Sequence, residues 1–272
     1  MDKIINNKYI LLDKIGSGCF GSIYKGQNIR TKEYVAIKVE CIQHDLKLLK
    51  NESTIYQYLN GCEGIPHVKW FGKDETNYYM VINLLGSSLQ DLMNKNSRFS
   101  LILILKLGIK ILCILKTIHE KGLVHRDIKP DNFLFGLKQV NQLYLIDFGF
   151  CKSYIENGEH NKIKKISQMI GSKNYTSINS HKCYDLSRRD DLESLCYMLI
   201  YFYNGFLPWN NVSDEETIIR LKNEILNNDT NYPLVLTDFL RYCRTMEYEE
   251  KPNYYLIIDN FKREIELLSK TN

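Results

Sequence analysis

Within the eight residues His125-Arg126-Asp127-Ile128-Lys129-Pro130-Asp131-Asn132, a carboxylate, an ammonium and a carboxamide stand at short fixed offsets. Phosphoryl transfer needs those three groups around a hydroxyl, a γ-phosphate and a magnesium ion. Fifteen residues after Asn132, Asp147-Phe148-Gly149 supplies a second carboxylate suited to a metal. Upstream, Ile15-Gly16-Ser17-Gly18-Cys19-Phe20-Gly21-Ser22-Ile23-Tyr24 is a G-x-G-x-x-G run, whose glycines let backbone N–H groups approach the phosphates of a nucleotide. A dinucleotide fingerprint would want a helix directly after these glycines, and a strand-like segment follows instead. Val35-Ala36-Ile37-Lys38 ends a strand on an ammonium placed for the α- and β-phosphates.

These residues take definite roles. Asp127 is the base that accepts the proton of the substrate hydroxyl, and Lys129 steadies the γ-phosphate. Asn132 and Asp147 take the two magnesium positions, while Glu52, on the helix after Lys38, fixes the direction of that lysine. Singly, each carboxylate could be a helix cap and Lys38 one more solvated lysine. Their occurrence together, in this order, is what carries the reading.

The elements that must position them divide the chain. Tyr9 to Ile15, Ser22 to Asn28 and Tyr34 to Glu40 are short β-rich runs separated by glycine or polar turns. Helical spacing follows from about Leu46 to Leu59, and Val68 to Phe71 and Tyr78 to Leu84 are again strand-like. Leu84-Leu85-Gly86 is the expected hinge. Beyond Ser88 the pattern is mostly helical: Leu89 to Met93, Leu101 to Lys121, Asp191 to Tyr203, Thr217 to Leu226, Leu236 to Thr245 and Tyr254 to Leu268. The expected class is α+β, a small β-rich lobe with one main helix (9–84) and a large helical lobe (85–272) within a single domain of 272 residues.

Composition is that of a globular protein with a substantial core, at 44% hydrophobic and 25% charged residues. A net charge of +4 argues for neither nucleic acid nor membrane as partner. Lys106, Lys110 and Lys116 interrupt the greasy stretch from Leu101 to Ile118, which favours a buried amphipathic helix over a membrane span. The eight cysteines form no C-x-x-C pair and are expected as small hydrophobes in a reducing compartment, cytoplasm or nucleus. Met1-Asp2-Lys3-Ile4-Ile5-Asn6 does not read as a secretory segment.

Gly171-Ser172-Lys173-Asn174-Tyr175-Thr176-Ser177-Ile178-Asn179 and the run Ser187-Arg188-Arg189-Asp190-Asp191-Leu192-Glu193-Ser194-Leu195 closely resemble the casein kinase 1 family of serine/threonine protein kinases. That family has Ser-Ile-Asn where most protein kinases have Ala-Pro-Glu. Glu63-Gly64-Ile65-Pro66, Asp131-Asn132-Phe133-Leu134, Leu207-Pro208-Trp209, Cys243-Arg244 and Lys251-Pro252 fit the same family, so the resemblance spans about Tyr9 to Phe261. It implies a bilobal protein kinase fold that uses ATP and Mg2+, with Lys129 marking serine or threonine as acceptor. It places Ile15 and Ile23 over adenine and ribose, along the glycines Gly16, Gly18 and Gly21, with Ala36 packed on the ring. Ile82 falls at the gatekeeper, and Asn83 and Leu85 at the hinge backbone. Asp191 is implied to tie its helix to the catalytic loop, and Arg126, Arg188 and Arg189 to belong to an ion-pair framework. Activity without activation-loop phosphorylation is implied as well.

The sequence departs from the family where it would bind a phosphate on a primed substrate. Asn174 stands for an arginine, Ser167 for a lysine, and Asp214-Glu215-Glu216 for a basic stretch after Leu-Pro-Trp. Lys162, Lys164, Lys165 and Lys173 either compensate or form a solvated loop face. Cys196 replaces a glycine. The expectation is a monomeric kinase acting on protein Ser/Thr, acidic segments among the candidates, with weakened recognition of primed substrates. The alternatives are a nucleotide-binding scaffold, whose marker would be a lost lysine or aspartate, and a vaccinia-related-type kinase.

Overall fold

The computed structural model describes residues 3–18, 21–43, 48–227 and 231–270. Its strands begin with β1 (Ile4–Ile5), β2 (Tyr9–Gly18), β3 (Gly21–Asn28), β4 (Tyr34–Cys41), β5 (Val68–Lys73) and β6 (Asn77–Asn83). They continue with β7 (Leu85–Ser88), β8 (Leu123–Val124), β9 (Phe133–Gly136), β10 (Leu143–Leu145) and β11 (Lys152–Ser153). The helices are α1 (Leu48–Tyr58), α2 (Leu89–Asn96), α3 (Leu101–Glu120), α4 (Ile178–His181) and α5 (Arg188–Asn204), then α6 (Glu215–Asn227), α7 (Leu234–Thr245) and α8 (Tyr254–Lys270). The chain forms two compact units, Met1–Ser87 with Phe133–Gly149, and Ser88–Asn132 with Phe150–Asn272.

The first unit is built on an antiparallel sheet in the order β1-β2-β3-β4-β6-β5. Side chains alternate across a strand, so the register decides what each face carries. Val35, Ile37 and Val39 share one face with Tyr79 and Val81 across the β4–β6 pair, and with Ile5, Tyr9, Leu11 and Trp70 they form the core. Ala36 and Lys38, opposite Ile82 and Met80, are thereby left on the other face. Helix α1 buries Leu49, Glu52, Ser53 and Tyr56, the i, i+3, i+4, i+7 stripe of an amphipathic helix. Its first turn is anchored to the sheet by Glu40, whose Oε2 accepts the Leu49 N–H at 2.5 Å.

The second unit is helical. Ser100 caps α3, whose buried stripe includes Ile104, Leu107, Ile111, Leu115 and Ile118. No helix among the described residues is long and apolar enough to cross a membrane. A Cβ at Gly108 would lie 2.8 Å from the Phe261 ring, so α8 comes this near α3 only over glycine. Helix α5 packs against α3 and α7 and is buried along most of its length, ending on Gly205 in the left-handed conformation.

The strands and helices expected from the sequence are present, with boundaries shifted by a few residues; Leu46 and Lys47 fall outside the described residues. The segment expected as the hinge runs into a strand, Leu85–Ser88, which pairs in a sheet ordered β10-β9-β7. Nothing local to Leu84-Leu85-Gly86 announces that, because the partner comes from far along the chain. The β9–β10 hairpin and the four-residue α4 were likewise not foreseen. The cysteine expectation holds in part. The seven described cysteines are all free, but only Cys196 and Cys243 are buried and Cys113 is exposed on α3; Cys19 lies outside the described residues.

Candidate active site

In the first unit, Lys38 is held from two sides. Its Nζ lies 2.7 Å from Glu52 Oε2 and 2.9 Å from Asp147 Oδ1. Burial opposes the lysine's charge, but the two carboxylates outweigh it and hold its pKa above the ordinary value. Glu52 is 2% exposed, and desolvation raises its pKa against the pull of Lys38. Asp147 adopts φ 67°, a conformation that costs a non-glycine residue energy unless its surroundings impose it. Here the Lys38 ion pair and the Tyr56 hydroxyl, which accepts the Asp147 N–H at 3.3 Å, fix it. Phe148 packs edge-on against Tyr56 at 4.9 Å between ring centroids, so the Asp-Phe-Gly segment is seated on α1.

The glycine run bridges β2 and β3, with Gly16 opposite Ile23 and Gly18 opposite Gly21. A Cβ on Gly21 would stand 2.2 Å from the Val39 carbonyl oxygen, so only glycine permits this approach. Cys19 and Phe20 lie outside the described residues. Ile15 is 51% exposed and Ile23 half-buried, while Ala36 is buried opposite Ile82. Asn83 has its side chain committed: Oδ1 accepts the His67 N–H at 3.1 Å. Leu85 opens β7.

In the second unit, the segment His125–Asn132 gathers around a buried Asp127. Oδ2 receives Lys129 Nζ at 2.7 Å, and Oδ1 receives the N–H and hydroxyl of Ser172 at 2.8 and 2.7 Å. Asn132 Nδ2 donates to the Asp127 carbonyl at 2.8 Å, which fixes the carboxamide and the direction of its oxygen. The loop's shape comes from α5: Asp191 accepts the backbone N–H groups of His125 and Arg126, each at 2.8 Å, and a contact from His119 Nε2 at 2.9 Å. Burial works against the charge of Asp191, yet these partners keep its carboxyl below the usual range. Arg126 sits at φ 69°, a conformation that this grip makes tolerable.

The two signature segments hold each other. Asp190 Oδ1 accepts from the Ser177 hydroxyl at 2.7 Å and from Asn179 Nδ2 at 2.9 Å, and Oδ2 accepts the Ser187 N–H at 2.8 Å. Glu193 accepts the Ile178 N–H and the Tyr197 hydroxyl and lies 3.5 Å from Arg244 Nε. The ion-pair framework is corrected in part. Arg126 lies 3.7 Å from Asp185, and Arg189 Nε only 4.0 Å from Asp190. Arg188 stacks on Tyr154 and donates to the Glu249 carbonyl rather than to a carboxylate. Lys165 and Lys173 donate to the carbonyls of Lys182 and Ser213, while Lys162, Lys164 and Lys165 are all exposed on the loop face. Ser172, Asp185, Glu193 and Lys222 are neighbours to which motif reading gave no role. Ser172 within Gly171–Asn179 and Glu193 within Ser187–Leu195 stood in quoted motifs, while Asp185 and Lys222 offered no signal.

Taken unit by unit, the first offers the Asp147 carboxylate beside a Lys38 kept charged, and the second the Asn132 carboxamide, oxygen donors of the kind a hard divalent cation takes and an ammonium of the kind a phosphate takes. A family model for the protein kinase domain matches residues 9–259.

Proposed function

The chain belongs to the protein kinase family, and from that premise we propose a serine/threonine kinase of casein kinase 1 type, active without activation-loop phosphorylation. Membership brings ATP, a divalent metal and protein substrates. The finer reading takes Mg2+ as the metal and treats residues 1–272 as one kinase domain, with lobes 9–84 and 85–272, monomeric, in cytoplasm or nucleus. The observation that carries it is the Lys129 ammonium, 2.7 Å from Asp127 Oδ2 and two residues along the chain.

In this reading Asp127 receives the proton of the acceptor hydroxyl as its oxygen bonds to the γ-phosphorus and the bond from that phosphorus to the β,γ-bridging oxygen breaks, the bonding pair leaving with ADP. Lys129, already beside that carboxylate, offsets negative charge gathering on the transferred group. Lys38, aimed by Glu52, orients the α- and β-phosphates, and the backbone of the Gly16–Gly21 turn covers them. Bound to Asn132 and Asp147, Mg2+ would neutralise phosphate charge. Ile15, Ile23, Ala36 and Ile82 enclose the base, and the backbone at Asn83 and Leu85 bonds its edge.

Independence from phosphorylation is supported by Asp185. Its buried carboxylate lies 2.5 Å from Lys152 and 3.7 Å from Arg126, so these cations already have a fixed anion. Weak priming is supported by Asn174, which replaces an arginine in the family pattern and has its carbonyl tied to the Trp209 indole at 2.8 Å. The test is a peptide panel in which primed, acidic and neutral substrates compete, followed by phosphoamino-acid analysis. Phosphoserine or phosphothreonine, with no gain from a phosphate three residues upstream, is the expected result. Phosphotyrosine, or strong selection for primed peptides, would refute it.

A further inference from the structure

Lys222 is fully buried on α6, outside the motifs quoted above. Its Nζ reaches three acceptors: the carbonyl of Thr176 at 2.6 Å, that of Lys173 at 3.2 Å, and His181 Nε2 at 3.0 Å. In its ammonium form Lys222 has three N–H donors and no lone pair, so the three acceptors saturate it. The third bond requires an unprotonated Nε2, which places the imidazole proton on Nδ1. His181 is correspondingly neutral, its pKa driven down to about 3 by burial and by the ammonium groups of Lys222 and Lys173. Rings of Tyr197 and Trp209 lie 4.7 and 5.3 Å from Nζ. Burial lowers the Lys222 pKa to about 7, with Glu193 and Glu215 opposing the shift and Arg244 adding to it.

A buried charge is a poor device for stability, since an apolar side chain of similar length is often as good. What Lys222 touches points elsewhere. Lys173 and Thr176 bracket the segment whose preceding residue, Ser172, donates twice to Asp127. The carbonyl between them, that of Asn174, is held by Trp209. Helix α6 is itself fixed, because Arg244 donates to the Lys222 carbonyl at 2.8 Å and to the Tyr197 hydroxyl at 2.7 Å.

We propose that Lys222 is a positioning residue for phosphoryl transfer, an ammonium strut that holds the Lys173–Thr176 backbone in the shape that receives the protein substrate and, through Ser172, orients Asp127. The proposal rests on the kinase reading. It acts on the acceptor and not on the nucleotide, so the two Michaelis constants separate.

Lys222→Met is assayed in the full chain with β-casein and Mg–ATP, alongside amide hydrogen exchange of residues 172–177 and thermal unfolding. Misplacement by a fraction of an ångström predicts a casein KM raised about tenfold or more and a lowered kcat. It also predicts an ATP KM within about twofold and faster exchange in 172–177. A folded variant with unchanged casein KM, or with exchange in 172–177 like the wild type, overturns the proposal. If Lys222→Met does not fold, Trp209→Phe, which deletes the bond to the Asn174 carbonyl, must raise the casein KM at constant ATP KM; no rise overturns it equally. A wild-type chain that phosphorylates nothing refutes the kinase reading and this proposal with it, whereas an active wild type with an indifferent variant refutes this proposal alone.

Discussion

At the scale of residues, the candidate site is made of groups whose charge is held rather than merely present. Lys38 is the clearest case, because Glu52 is too buried to tolerate losing its counter-ion. Breaking such a pair costs about 3–5 kcal/mol, while replacing both members with apolar groups is often nearly neutral. Lys38→Met should therefore lower stability by roughly that amount. Lys38→Met with Glu52→Leu should regain most of it in urea unfolding and remain inactive. Recovery of activity with stability would mean that the pair is scaffolding. These residues were legible in the sequence, since motif spacing and side-chain chemistry name them together. Asp147's left-handed backbone was not, because it follows from Tyr56 and Lys38, neither of which neighbours it in sequence.

At the scale of elements, α5 stands out as the organiser of the second unit. Asp190 binds the Ser-Ile-Asn segment, Asp191 the catalytic loop, and Glu193 reaches Ile178 and Arg244. This explains why the two signature segments were readable as one unit: their polar side chains satisfy one another in a buried place. Asp191→Ala would strand the N–H groups of His125 and Arg126, each costing about 1–3 kcal/mol. The expected outcome is a large fall in unfolding free energy with kcat falling more than ATP affinity. Asp191→Asn should do less, since its carbonyl oxygen still accepts one bond. Equal loss of kcat and ATP affinity in a folded Asp191→Asn protein would contradict a role through Asp127. The less legible elements are β7, whose partner strand β9 lies far along the chain, and α4, too short for any periodic signal.

At the scale of the whole molecule, buried titratable groups shape the response to pH. His181 is neutral in the fold with its pKa lowered to about 3, so between an ordinary imidazole value and that value the unfolded chain binds the extra proton. Its contribution is present above pH 6.5 and is lost as pH falls toward 3. Asp190 acts oppositely: burial lifts its pKa to about 6, so the fold holds a proton the unfolded chain releases, and that contribution fades as pH rises to 6. His181→Gln, which keeps an acceptor for Lys222, should therefore lose less stability than wild type between pH 7 and 5. An identical or steeper loss in urea titrations would contradict the neutral imidazole. The bonds around residues 172–176 were least legible at this scale, because the Lys222 ammonium and the Trp209 indole reach backbone carbonyls there, and a carbonyl carries no mark of its partner in the sequence.

The proposed role of Asp127 as the base of a serine/threonine kinase is tested most directly by γ-phosphate transfer from Mg–ATP to β-casein, measured for wild type and Asp127→Asn protein. That role predicts phosphoserine or phosphothreonine from the wild type. It also predicts a loss of at least about 10²-fold in a variant with unchanged unfolding. Transfer at the wild-type rate by folded Asp127→Asn protein, or none from wild type, would contradict it.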